Sequence, residues 1–185
     1  MRNIDSKAVA LFGGSFDPPH IGHIAIVEAL KELDYIDKVV IMPTFLNPFK
    51  SSSHASSELR FKWLSEIFKD SKKVEVSKFE INKNRPVYAI ESVEYLLKKF
   101  KRVYLVIGAD NLELLSKWHN YEKLQTLVTF VVASRDNINI GKEFIKLNVQ
   151  ENISSTKLRN KLISAQIPKI CASEIKKTYK EKNEK

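Results

Sequence analysis

Cysteine occurs once in this 185-residue chain, at Cys171, so no internal disulfide can brace the fold, and a disulfide-stapled scaffold is excluded. That thiol has no nucleophile signature around it and reads as a small core residue in a reducing compartment. Histidine is scarce too: His20, His23, His54 and His119 are the only four. With one cysteine they make a poor set for a closed zinc site, which takes four Cys or His ligands. Neither G-x-x-x-x-G-K-[ST] nor G-x-G-x-x-G occurs, so the two commonest phosphate-binding loops are missing. No apolar stretch is long enough to span a bilayer, and none follows Met1-Arg2-Asn3 as a secretion signal would. A soluble, cytoplasmic protein away from the membrane is the expectation.

Positive charge, by contrast, is in surplus. Lys and Arg outnumber Asp and Glu by 31 to 22, a net charge of +9. The excess is scattered lysine rather than a basic face interleaved with aromatics, so nucleic acid is not the expected partner. Small anionic substrates would profit from the same field. The last residues, about 172–185, read as a basic helix end or solvated tail. With 43% hydrophobic residues the chain can bury one core, and residues 1–185 read as a single domain. The oligomeric state stays open, a homodimer included.

Apolar runs alternate with segments of helical period, the pattern of an α/β protein with a parallel sheet. Strands are expected at Ala8–Phe12, Lys38–Met42, Lys73–Ser77, Val103–Ile107 and Val128–Ala133. Helices are expected at Ile24–Leu33, at Ser57–Phe68 with Leu59, Trp63, Leu64 and Ile67 buried, at Val87–Phe100, around Trp118 and from Ser154–Thr156 onward. In open α/β sheets ligands bind beyond the carboxyl ends of the strands. Gly13-Gly14, the Pro43–Lys50 loop, Gly108-Ala109-Asp110 and Ser134-Arg135 all follow strands and should converge on one edge.

The most informative stretch is GGSFDPPHIGH, Gly13 to His23. Glycines at a strand exit let a backbone turn and let a ligand come close. His20 and His23, three apart at a helix start, should project from one face, beside free N–H groups and a positive dipole end. Together these describe a polyphosphate site. A second element, Ile153-Ser154-Ser155-Thr156-Lys157-Leu158-Arg159, places good N-caps one turn before an arginine whose planar fork suits phosphate. Asp17, before a proline, reads as a turn-shaping residue.

GGSFDPPHIGH resembles the G-x-F-D-P-x-H-x-G-H signature of the nucleotidylyltransferase superfamily, and ISSTKLR resembles the element that grips the ATP triphosphate opposite it. The resemblance implies a Rossmann-like, doubly wound parallel sheet. Met42-Pro43 through Asn47-Pro48-Phe49-Lys50, Arg85 to Ser92, Gly108-Ala109-Asp110 with Trp118-His119, and Ala133-Ser134-Arg135 resemble bacterial nicotinate-nucleotide adenylyltransferases. Departures are Phe49 and Asn47 in the loop, and Val87 and Ala89 around Tyr88. The likeness implies an enzyme of NAD biosynthesis that joins ATP and nicotinate mononucleotide, with Mg²⁺ held by the ATP phosphates rather than by protein side chains. It implies catalytic roles for His20, His23 and Arg159. ATP would be met by Gly13, Gly14, Ser15, Phe16, Lys50, Gly108, Asp110, Ser155 and Thr156, and the mononucleotide by Tyr88, Ala89, Trp118 and Arg135. Phosphopantetheine adenylyltransferase is the nearest rival, and a silent nucleotide sensor or RNA-binding domain on the same scaffold is the rival from another class.

Overall fold

The computed structural model describes residues 7–134, 140–149, 155–160 and 163–183. Six strands form one sheet in the order β3-β2-β1-β4-β5-β6, and every neighbouring pair is parallel. They are β1 (Ala8–Gly14), β2 (Lys38–Pro43), β3 (Val74–Val76), β4 (Arg102–Gly108), β5 (Val128–Ser134) and β6 (Ile145–Asn148). The helices are α1 (Ile21–Lys31), α2 (Ser57–Phe68), α3 (Ala89–Leu97), α4 (Tyr121–Leu127), α5 (Ser155–Asn160) and α6 (Ala172–Asn183). The chain winds outward from β1 to β3, then returns to lay β4 on the other side of β1. The order of winding therefore reverses between β1 and β4, and that reversal opens a crevice at their carboxyl ends.

Side chains alternate across a strand, and a parallel sheet is covered on both faces, so its strands are apolar without interruption. In β1, Ala8, Ala10 and Phe12 join Val27 and Leu30 of α1 and Leu64 of α2 on one face. Val9 and Leu11 join Ile90, Val93 and Leu96 of α3 on the other. Each fully buried Leu, Ile or Val contributes roughly 1.5–3 kcal/mol of transfer free energy. A third cluster lies outside the sheet, where Trp63 of α2 packs with Leu158 of α5, Cys171, and Ile175 and Tyr179 of α6. Burial raises the Cys171 thiol to about 11, so it stays a neutral core group.

Several sequence expectations are revised. α1 starts at Ile21 and ends at Lys31, earlier than Ile24–Leu33 at both ends. The helical segments expected around Trp118 are a 3₁₀ helix, Ala109–Lys117, before it and α4 after it. The α2 stripe is Arg60, Trp63, Leu64 and Phe68, with Leu59 and Ile67 only half-buried, because a buried arginine takes a place on that face. β6 was not expected. The tail is no solvated appendage either: Ile175 and Tyr179 seat α6 against α2.

Candidate active site

The turn after β1 is shaped differently from the sequence expectation. Neither Gly13 nor Gly14 has a positive φ; the left-handed residue is Phe16, at φ 49°, followed by a cis Asp17–Pro18 bond. The glycines serve approach rather than conformation. A Cβ on Gly14 would lie 3.3 Å from the Phe16 ring, while one on Gly13 would meet nothing nearer than the Met42 carbonyl at 3.9 Å. Phe16 itself is buried edge-on against Phe12 and against His23, whose ring lies 4.8 Å away. A bulky side chain held in a sparsely allowed backbone region persists only where its surroundings fix it.

His20 caps α1, and His23 sits at its third position. The two rings stack with centroids 3.6 Å apart and planes 21° from parallel, and the His20 amide donates to His23 Nδ1 at 3.2 Å. His20 is 1% exposed. The imidazoles thus share one face at the helix start, as the three-residue spacing predicts.

The second element reaches the same place. Arg159 Nη1 donates to the Asp17 carbonyl at 2.6 Å, and Ser155 Oγ donates to the Pro18 carbonyl at 3.1 Å. Arg159 Nη2 donates to Thr156 Oγ1 at 3.1 Å. The guanidinium, expected to face phosphate, is therefore anchored at one end to the loop that carries the histidines.

That loop is held from behind by two buried charges. Asp17, 3% exposed, accepts from the amides of His54 at 2.7 Å and Ala55 at 2.9 Å and from the Tyr179 hydroxyl. Burial pushes its pKa up, but the Tyr179 bond, the two amides and Arg60 together hold it below the usual carboxylate value. Arg60, wholly buried, donates to the carbonyls of Ser15, Ala55, Thr44 and Phe45 at 2.6–3.1 Å. Five-donor guanidinium geometry lets one side chain tie the loop after β1 to the loop after β2. Asp17 is thus more than a turn-former. Arg60 carried only a faint sequence signal, a lone cation inside an apolar helical stripe.

These walls enclose one cavity of about 330 Å³ beyond β1 and β4. Gly13, Gly14, Ser15, Phe16, His20, His23 and Lys50 line it, as do Gly108, Asp110, Ser155, Thr156 and Arg159. At Gly108 a Cβ would collide with the Asp110 carboxylate, so glycine lets Asp110 fold back over the strand end. Tyr88, Ala89, Trp118 and His119 line the cavity as well. The Tyr88 and His119 rings stack at 4.2 Å. Trp118 is half-buried, serving both the core and the cavity wall. The start of α3 is fixed by Glu91, which accepts from the Tyr88 amide at 3.1 Å and from both Arg85 nitrogens. Arg135 lies outside the described residues. Every other residue given a catalytic, ATP-binding or mononucleotide-binding role from the sequence lines this cavity, and Glu80, which was given none, lines it too.

A family model described as cytidylyltransferase-like matches residues 11–161. A Sulfurimonas denitrificans protein, named a probable nicotinate-nucleotide adenylyltransferase, is 59% identical over 95% of this chain and 96% of its own length. The chain belongs to the nicotinate-nucleotide adenylyltransferase branch of the cytidylyltransferase-like family. A Nitratiruptor relative with the same name is 51% identical over 93% of this chain and 98% of its own. Among solved structures, Plasmodium falciparum nicotinic acid mononucleotide adenylyltransferase, complexed with NaAD, superposes with a TM-score of 0.78 over 94% of this chain and 98% of its own, at 20% identity. That likeness shows the nucleotidylyltransferase fold.

Proposed function

We propose that this chain transfers the adenylyl group of ATP to nicotinate mononucleotide, yielding deamido-NAD and pyrophosphate, a step of NAD biosynthesis. The observation that carries the reading is the convergence of the stacked His20–His23 pair and Arg159 on one cavity that the aromatic rings of Tyr88 and Trp118 also line. The names of the near-full-length relatives support it.

The attacking group is a phosphate monoester with a second pKa near 6, largely dianionic at neutral pH. It needs neither a general base nor an enzyme nucleophile. The barrier lies in bringing one anion in line with the α-phosphate of another, which calls for positioned cations and donors. His20 and His23 donate to the phosphates where charge builds, and Lys50 and Arg159 hold the departing pyrophosphate. Asp110 accepts from a ribose hydroxyl, and Trp118 and Tyr88 bracket the pyridine ring. Mg²⁺ is the counter-ion this reading assigns to the triphosphate, carried by the ATP phosphates themselves. It would neutralise charge on the leaving group. No helix among the described residues is long and apolar enough to cross a membrane.

The test is pyrophosphate release from ATP with nicotinate mononucleotide, nicotinamide mononucleotide and phosphopantetheine supplied separately. The acid mononucleotide should be turned over fastest. Response to phosphopantetheine alone would defeat the assignment, and response to none with tight RNA binding would favour a non-enzyme.

A further inference from the structure

One carboxyl of the cavity has no role in the chemistry above. Glu80 precedes the short turn Ile81–Lys83, is 4% exposed, and lines the cavity beside Val87, Tyr88 and Ala89. Its Oε1 accepts from the buried Ser92 hydroxyl of α3 at 2.7 Å. Its Oε2 is buried with no hydrogen-bond partner among the described residues. A carboxylate satisfied by one neutral donor is expensive to bury, so such a group favours its neutral form.

The surrounding charges do not relieve it. Lys78 pairs with Glu58, Lys83 lies over the Phe79 ring, and Arg85 pairs with Glu91. From α3 the charged group that bears on Glu80 is Glu91, itself acidic; the titratable groups that line the same cavity are Asp17, His20, His23, Lys50, Tyr88, Asp110, His119 and Arg159. Burial carries the Glu80 carboxyl up to about 7, with the Ser92 bond pulling it down and Glu91 adding to the rise. Near neutrality the group therefore exists in two forms, one a hydrogen-bond donor and one an acceptor only.

We propose that Glu80 is a specificity-determining residue that reads the substituent of the pyridine ring. Its neutral carboxyl donates to the carboxylate of the acid mononucleotide, whereas its ionised form repels that carboxylate and accepts from an amide. Two carboxyls at one site share a single proton, so the acid substrate binds with Glu80 protonated. This rests on the adenylyl-transfer reading of the cavity.

The experiment measures kcat/KM for the acid and amide mononucleotides at saturating ATP, from about pH 5.5 to about pH 9. Both substrates carry the same phosphate and meet the same histidines, so the acid-to-amide ratio cancels those titrations. The ratio should stay level below about pH 7 and fall about tenfold per pH unit above it. Glu80→Gln, which keeps a donor and cannot ionise, should retain the acid substrate and flatten the ratio. Ser92→Ala removes the bond that favours the charged form, so the break should move to higher pH. A flat ratio in the wild type, a break surviving in Glu80→Gln, or a break of equal size for both substrates would overturn the proposal. Transfer to both mononucleotides without a break defeats this inference alone, whereas transfer to neither defeats the proposed function with it.

Discussion

At the scale of single residues, the proposed adenylyl transfer turns on where two imidazoles are held. His20 is fixed by its position as the α1 cap, by stacking on His23 and by nearly complete burial. His23 is braced in turn by Phe16. A donor held so firmly before the substrate arrives costs no reorganisation when charge develops on the phosphates, which is what makes such groups effective. Replacing His20 by Ala should lower kcat by about 10²–10³. The lost packing should cost only about 1–3 kcal/mol, a modest fall in the unfolding midpoint. Circular dichroism and thermal melts beside the kinetic assay separate the two effects. A variant with wild-type turnover would remove His20 from the mechanism.

At the scale of elements, the molecule is latched by α6, part of the stretch that the sequence reads as a basic helix end or solvated tail. α6 delivers Tyr179 to Asp17, Asp17 gathers the amides of His54 and Ala55, and Arg159 grips the Asp17 carbonyl. Elements distant in sequence thus meet behind the histidine loop. Tyr179→Phe keeps the ring that packs on Trp63 but removes the hydroxyl donor. It should raise the KM for ATP several-fold and leave the KM for the mononucleotide nearly unchanged, because the latch backs the phosphate end only. The missing bond to a buried carboxylate should also cost about 1.5–3 kcal/mol of stability, read by denaturant unfolding. Equal changes in both KM values would show that α6 acts on the fold as a whole. What sequence made legible here follows from periodicity and local chemistry. β1, β2, β4 and β5 are apolar runs, and His20 with His23 declared themselves by spacing. Arg60, Tyr179 and Glu80 did not, since their roles depend on contacts 15 to 162 residues away in the chain or on burial, to which no local pattern points. β6 escaped because Ile145–Asn148 is four residues long and alternates in burial at the sheet edge. The glycine pair was located correctly, but of its two expected roles the turn fell to Phe16, which holds the left-handed position.

At the scale of the whole molecule, net charge and topology act on the same reactants. Each substrate is an anion, and the cavity they enter lies where the strand order reverses between β1 and β4. Much of the acidic complement is spent in surface pairs with lysine, such as Lys31–Glu28, Lys38–Glu75, Lys69–Glu66 and Lys123–Glu94. The surplus of +9 is left to shape the field through which ATP approaches. Such fields raise the encounter rate of an oppositely charged ligand and fade with salt, because the screening length shrinks from about 30 Å at 0.01 M to about 3 Å at 1 M. Lys50 and Arg159 line the cavity, and under the proposed function they would meet ATP at contact distance, where added salt screens much less. Raising ionic strength with a salt that does not bind Mg²⁺ should therefore lower kcat/KM for ATP by roughly tenfold across that range. It should leave kcat within about twofold, since the bound reactants are sheltered. If kcat fell in step with kcat/KM, the salt would be acting on the phosphate-holding groups themselves, and the scattered lysines would have no part in guiding substrate to the site.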